Sequence, residues 1–142
     1  MKILILCTGN SCRSQLAEFY LKSLDPNLEV HSAGTNPAQA IHPMALELLR
    51  EAEISHVGGK AKNLDSFLTQ SFDFVITVCG AAEENCPSFT GQVKQRLHLG
   101  FDDPAALEGS GKEIKRGFLR IFKEIQEVFD DFYQNLAKLK QA

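Results

Sequence analysis

Met1 to Leu6 is an apolar run with one charge, Lys2, at its edge, and the octet Cys7-Thr8-Gly9-Asn10-Ser11-Cys12-Arg13-Ser14 follows it directly. Such a run reads as a parallel strand buried on both faces. Beyond the octet, Leu16, Ala17, Tyr20, Leu21 and Leu24 recur at helical spacing until Asp25-Pro26-Asn27 stops the pattern. The chain therefore opens as strand, loop, helix. Between Cys7 and Arg13 lie Gly9 and small polar residues, which allow the backbone N–H groups to curl toward one centre. An oxyanion there would be held by the start of the helix and by a forked guanidinium. Thr8, Gly9, Asn10, Ser11, Cys12, Arg13 and Ser14 are thus the expected oxyanion-binding residues. A thiol at the mouth of this positive cradle has its pKa lowered, which makes Cys7 the candidate nucleophile. Ser14 is placed to donate to the thiolate, Asn10 to brace the turn, and Cys12 to fill space beneath the loop.

At 142 residues and 44% hydrophobic, the chain is expected to form one domain, 1–142, with a full core. A net charge of -3 supplies no basic stripe for nucleic acid or a membrane surface. No apolar run is long enough to cross a bilayer, and the first residues lack the flanks of a signal peptide. A cytoplasmic monomer is expected. In a reducing compartment the cysteines at 7, 12, 79 and 86 are more often catalytic or redox-active than structural. Their spacings do not match the two-residue gaps of zinc knuckles, and no metal is expected from them.

Leu28 to Ser32 reads as a second strand ending at Ala33-Gly34, and His42-Pro43 opens a helix through Ala45, Leu48, Leu49 and Ala52. Residues 55–63 look like a mobile connection, followed by a short helix around Ser66 to Thr69. Phe72 to Val78 is the clearest later strand and delivers Cys79 at its C-terminal end; a weaker one lies near Lys94 to Leu99. Ile114, Phe118, Ile121, Ile125, Val128, Phe132, Leu136 and Leu139 form the stripe of a long amphipathic helix. Alternating strands and helices imply an α/β fold with a parallel sheet, whose ligands bind beyond the carboxyl ends of the strands. Cys7 and Cys79 both occupy such ends.

Seven residues after Cys79 comes Cys86, beside Pro87. A dithiol can carry two electrons to a bound oxyanion and be restored by exchange. The turn Gly100-Phe101-Asp102-Asp103-Pro104 offers a carboxyl that could protonate a leaving oxygen. The four histidines, at 31, 42, 56 and 98, lie on separate segments, where packing roles outweigh metal ligation.

The Cys-x4-Cys-Arg-Ser octet resembles the signature of the low-molecular-weight protein tyrosine phosphatase superfamily. That resemblance implies a three-layer α/β/α fold with a four-stranded parallel sheet and a thiol–oxyanion intermediate. Cys7 to Glu18, His31 to Gly34, Val78-Cys79, Asn85-Cys86-Pro87 and Gly100 to Ala105 are together similar to the thioredoxin-coupled arsenate reductases. The implied relay has Cys7 attack arsenate, with Arg13 stabilising charge and Asp103 as general acid. Cys79 then attacks Cys7 and Cys86 attacks Cys79, leaving a disulfide for thioredoxin to reduce. Asp102 is the alternative acid. Seven helical residues span roughly 10 Å, beyond the 7 Å or so that bridged Cα atoms allow, so segment 80–86 is expected to refold on oxidation.

The related enzymes can bind potassium, and Asn10, Glu18 and Ser32 fall at positions resembling its ligands. Where a further acidic ligand belongs, this chain has Lys60, Lys62 and Asn63, and a lysine could replace the ion's charge. No tightly bound cofactor is implied, and phosphate or sulfate are competing oxyanions. The alternatives are a phosphatase using Cys7, Arg13 and Asp103 alone, or recycling by glutathione with glutaredoxin or by mycothiol. A redox-sensing or oxyanion-binding module without catalysis is a third. Ala105-Ala106 after Pro104, in place of an aromatic pair, favours the reductase.

Overall fold

The computed structural model describes residues 1–80 and 88–141, with side chains through residue 138. The regular elements are β1 (Lys2–Cys7), α1 (Arg13–Leu24), β2 (Glu29–Gly34), α2 (Pro43–Glu51), β3 (Ser71–Thr77), β4 (Gln92–His98) and α3 (Gly111–Gln141). Two 3-10 turns, Leu64–Phe67 and Pro104–Ala106, complete them. The four strands form one sheet in the order β2-β1-β3-β4, with every pairing parallel. This is the α/β architecture that the strand–helix alternation implies. No described helix is long and apolar enough to cross a membrane.

Side chains alternate across β1. Ile3, Ile5 and Cys7 enter the larger core with Leu16, Ala17, Leu48, Phe118, Ile121, Ile125 and Phe129, so α1, α2 and α3 share that face. Leu4 and Leu6 enter a smaller cluster with Leu64, Phe67, Phe72, Val75 and Phe89. A central parallel strand buried on both faces has no polar side to show, which explains its unbroken apolar run. On α3, Phe122 and Phe129 join the buried stripe. Burying each such ring is worth roughly 1.5–3 kcal/mol.

The order of strands creates the site. From β1 the chain steps outward to β2, and β3 then returns to pair on the other side of β1. Connections leaving β1 and β3 consequently diverge and open a crevice at their carboxyl ends. Within the pairing Leu6 lies opposite Thr77 and Cys7 opposite Gly34. A side chain at Gly34 would run into the Thr8 carbonyl, so glycine is required for β2 to end this close to the loop.

Residues 60–63 depart from the mobile connection that their composition suggests. Gln15 Nε2 donates to Lys60 O at 2.9 Å, Lys62 N to Asn10 Oδ1 at 2.8 Å, and Gly34 N to Lys62 O at 2.9 Å. Asn63 also bridges to Gly34. The short helix lies slightly earlier than its expected place, because Asn63 caps a 3-10 turn by accepting from Asp65 N.

Candidate active site

Residues 8–12 owe their shape to bonds made on the outside of the loop. Thr8 O accepts from Asn36 N at 3.0 Å, Gly9 O from Ala38 N at 2.9 Å, and Ser11 O from His42 N at 3.0 Å. Asn10 O accepts from Gln15 Nε2 at 3.0 Å, and Cys12 O from Leu16 N at 2.9 Å. With successive carbonyls turned outward, the N–H groups are left facing the centre. Asn10 makes the turn at φ 49°, a left-handed conformation that asparagine tolerates. The first turn of α1 has neither a side-chain cap nor an acidic residue, which suits it to an anion.

Cys7 lies at the base, 4% exposed. Its thiol is lowered from 9.0 to about 6, first by a hydrogen bond from Cys79, then by the Arg13 guanidinium and the N–H groups of Gly9 and Thr8, against the opposing effect of burial. Ser14, expected to donate to Cys7, accepts from Asn10 Nδ2 at 2.8 Å. Cys12 is pushed up to about 11, chiefly by burial, and stays a thiol across the ordinary pH range. Cys7, Cys12 and Cys79 are all buried.

Arg13 is nine-tenths buried and more, and its Nη1 donates to Phe101 O at 3.0 Å. Its Nη2 stands 3.8 Å from Asp103 Oδ1. Asp103 also caps the Pro104–Ala106 turn through Ala105 N at 2.9 Å, while lining the cleft with Cys7 and Arg13. Asp102 points elsewhere, with its carboxylate 77% exposed and 3.7 Å from Arg120. A side chain at Gly100 would meet Cys79 O at 2.8 Å, so this glycine lets the acidic turn approach the second thiol.

The cleft, about 380 Å³, is bordered by Cys7, Gly9, Ser11, Arg13, Asn36 and Asp103. It is ample for a tetrahedral oxyanion. A larger cavity of about 430 Å³ opens beside β3 and β4 at Val75, Phe89, Arg96 and Leu97, but none of the thiols among the described residues lines it, whereas Cys7 lines the smaller one. The structure thus brings together Cys7, the loop, Arg13, Cys79 and Asp103. Cys86, with the refolding expected of 80–86, lies outside the described residues, which omit 81–87.

Asn10, Glu18 and Ser32 do meet, in a buried chain beneath the loop. Asn10 Nδ2 donates to Ser32 Oγ at 2.9 Å, and Ser32 Oγ donates to Glu18 Oε1 at 2.5 Å. Lys62 Nζ stands 3.5 Å from the same Glu18 oxygen, and Lys22 Nζ is 2.7 Å from the other. Asn10 Oδ1 is taken by Lys62 N and Gln15 Nε2. These residues do not fit a potassium ion, because an ammonium already stands at the carboxylate. Among the described residues no cluster of His, Cys, Asp or Glu has the makings of a metal site.

Sequence reasoning missed the outer ring: Gln15, the backbone N–H groups of Asn36, Ala38 and His42, and the anchoring of Lys62. A buried glutamine one residue after Arg13-Ser14 was the available signal.

A depressed thiol in an N–H-lined cradle, with a buried guanidinium behind it and a carboxylate at the rim, is the arrangement that suits a thiol to attack on a tetrahedral oxyanion. The chain belongs to the low molecular weight phosphotyrosine protein phosphatase family, which it matches over residues 2–142. It is 42% identical over 131 residues to an arsenate reductase of Halalkalibacterium halodurans, covering 92% of this chain and 93% of that one. Among solved structures it resembles an arsenate reductase in the reduced state (25% identity, TM-score 0.73, 95% of this chain and 98% of the other). It also resembles a thioredoxin-dependent arsenate reductase of Corynebacterium glutamicum (27% identity, TM-score 0.61, 94% and 62%).

Proposed function

We propose that this protein reduces arsenate to arsenite, with Cys7, Cys79 and Cys86 as the electron relay and thioredoxin as the final donor. The observation that carries the reading is the Cys79 thiol hydrogen-bonded to the Cys7 sulfur. Hydrolysis of a phosphoester needs a nucleophile, a guanidinium and an acid, but no second thiol at the nucleophile. The similarity to arsenate reductases supports the same conclusion.

In the first step the Cys7 thiolate attacks arsenic(V) and an S–As bond forms. The departing hydroxide takes a proton from Asp103 and leaves as water. Inward N–H groups and Arg13 meet the charge on the remaining oxygens. In the second step Cys79 passes its proton to an oxygen on arsenic and, as thiolate, attacks the Cys7 sulfur. An S–S bond forms, the As–S bond breaks, and its electron pair stays on arsenic, which departs as arsenite. Two thiols have become one disulfide, which balances the two-electron reduction. Cys86 then attacks Cys79 and frees Cys7, and a thioredoxin dithiol reduces the Cys79–Cys86 disulfide.

The test is arsenate-dependent NADPH oxidation with thioredoxin and thioredoxin reductase, run in parallel with glutathione and glutaredoxin. Cys7→Ser, Cys79→Ser and Cys86→Ser should each abolish multiple turnover. Full turnover by Cys79→Ser or Cys86→Ser rejects the relay. Hydrolysis of p-nitrophenyl phosphate that survives both, without arsenate turnover in the wild type, identifies a phosphatase instead.

A further inference from the structure

Glu18 is a carboxylate 3% exposed, seated directly below the nucleophile loop. A buried carboxylate needs a compensating charge. Lys22 reaches Oε2 from a side chain 41% exposed. Lys62 is held differently. Its backbone N donates to Asn10 Oδ1 at 2.8 Å and its backbone O accepts from Gly34 N at 2.9 Å, which fixes the residue between the loop and the end of β2. Its side chain, 19% exposed, sets Nζ 3.5 Å from Glu18 Oε1 and 2.9 Å from Lys60 O. One carboxylate oxygen and one carbonyl oxygen around a positive charge is the environment that a bare monovalent cation would seek.

We propose that the Lys62 ammonium is a built-in monovalent cation, a positioning group that neutralises Glu18 and thereby keeps Ser32, Asn10 and Ser14 ordered under Cys7. The chain of donors runs from Asn10 Nδ2 to Ser14 Oγ and Ser32 Oγ, and from Ser32 to the Glu18 oxygen that faces Lys62. Without the ammonium, that oxygen keeps its hydroxyl donor but loses its nearest charge. The carboxylate then draws a cation from solution or is left undercompensated, and the loop above loosens. Burial draws Lys62 down from its ordinary range while Glu18 opposes the fall, as for an ammonium retained by its partner. The substrate's identity does not enter, so this role stands or falls separately from arsenate reduction.

Lys62→Ala removes the ammonium and keeps the backbone bond to Asn10. The measurements are the thermal midpoint and the rate of Cys7 alkylation by iodoacetamide near pH 6. Both are taken in potassium chloride, ethylammonium chloride and choline chloride at equal ionic strength, with no oxyanion present. Wild type should be the same in all three salts. Lys62→Ala in choline should melt about 5 °C lower and alkylate more slowly, and potassium or ethylammonium should restore both. Lys62→Asp, which supplies a carboxylate, should gain a saturable rise in midpoint with potassium. Lys22→Ala serves as the control and should show no potassium response. The proposal is overturned if wild type itself is stabilised by potassium over choline. It is equally overturned if Lys62→Ala matches wild type, or falls and no small cation restores it.

Discussion

The Cys79 thiol donates to the Cys7 sulfur, and with the Arg13 guanidinium it favours the ionised form of Cys7. The residues are far apart in sequence but arrive together because β1 and β3 pair directly. In the proposed relay the second thiol would therefore prepare Cys7 before attacking it. Replacing Cys79 with alanine should raise the Cys7 pKa by about 1 unit or more, or about 1.4 kcal/mol. Serine, which keeps a donor, should raise it less. Titration of thiolate absorbance at 240 nm reads both, and an unmoved value in Cys79→Ala would show that the contact does not hold the thiolate.

Stability should carry the imprint of the same group. Its folded value of about 6 lies below the ordinary 9.0, so the unfolded chain binds the proton more tightly. The contribution is complete above pH 9, shrinks as pH falls toward 6, and is gone below that. Relative to Cys7→Ser, the wild type should lose up to about 4 kcal/mol across this window, or roughly 10 °C in midpoint. Parallel melting curves for the two proteins would expose any failure of the difference to narrow on acidification.

Asp103 and Asp102 should separate cleanly. Only Asp103 lines the cleft beside Arg13, whereas Asp102 makes an exposed pair with Arg120. Asp103→Asn should lower kcat/KM by about 100-fold or more, the usual scale for a general acid. Asp102→Asn should stay within about twofold, since exposed ion pairs contribute little. Equal losses in steady-state kinetics would count against the assignment.

Gln15 closes the ring around the loop through Asn10 O and Lys60 O. Gln15→Leu preserves bulk and removes the donors, leaving Asn10 O without this partner. A cost of about 1–3 kcal/mol is expected for a buried acceptor left unmet. Phosphate should then raise the melting midpoint less than it does in wild type. A full phosphate response would mean that the outer bonds do not shape the cradle.

Much of this was legible in the sequence where the cause is local. β1, α1 and α3 announce themselves because burial on two faces or one stripe leaves a periodic signature. β4 is fainter: an edge strand with Val93 and Leu97 half-buried and the rest mostly exposed has little to repeat, and its start falls earlier than its pattern suggests. Residues 60–63 look loose because lysines and small residues have no fixed preference of their own. Their order comes from Asn10, Gln15 and Gly34, which are distant in sequence and leave no mark on local composition. The octet pointed to Cys7 and its neighbouring guanidinium, but not to the partners that hold the carbonyls of Thr8, Gly9, Asn10 and Ser11.

Those outward carbonyls bear on how such a protein meets its substrate in a living cell. A mould braced from behind has few ways to reshape itself around its occupant, and phosphate and arsenate offer it the same tetrahedral outline, so the commoner of the two would fill it more often. Phosphate would then act as a standing queue ahead of arsenate, and throughput would follow the ratio of the two anions more than the amount of arsenate. Cells short of phosphate should clear arsenate faster with the same number of enzyme molecules.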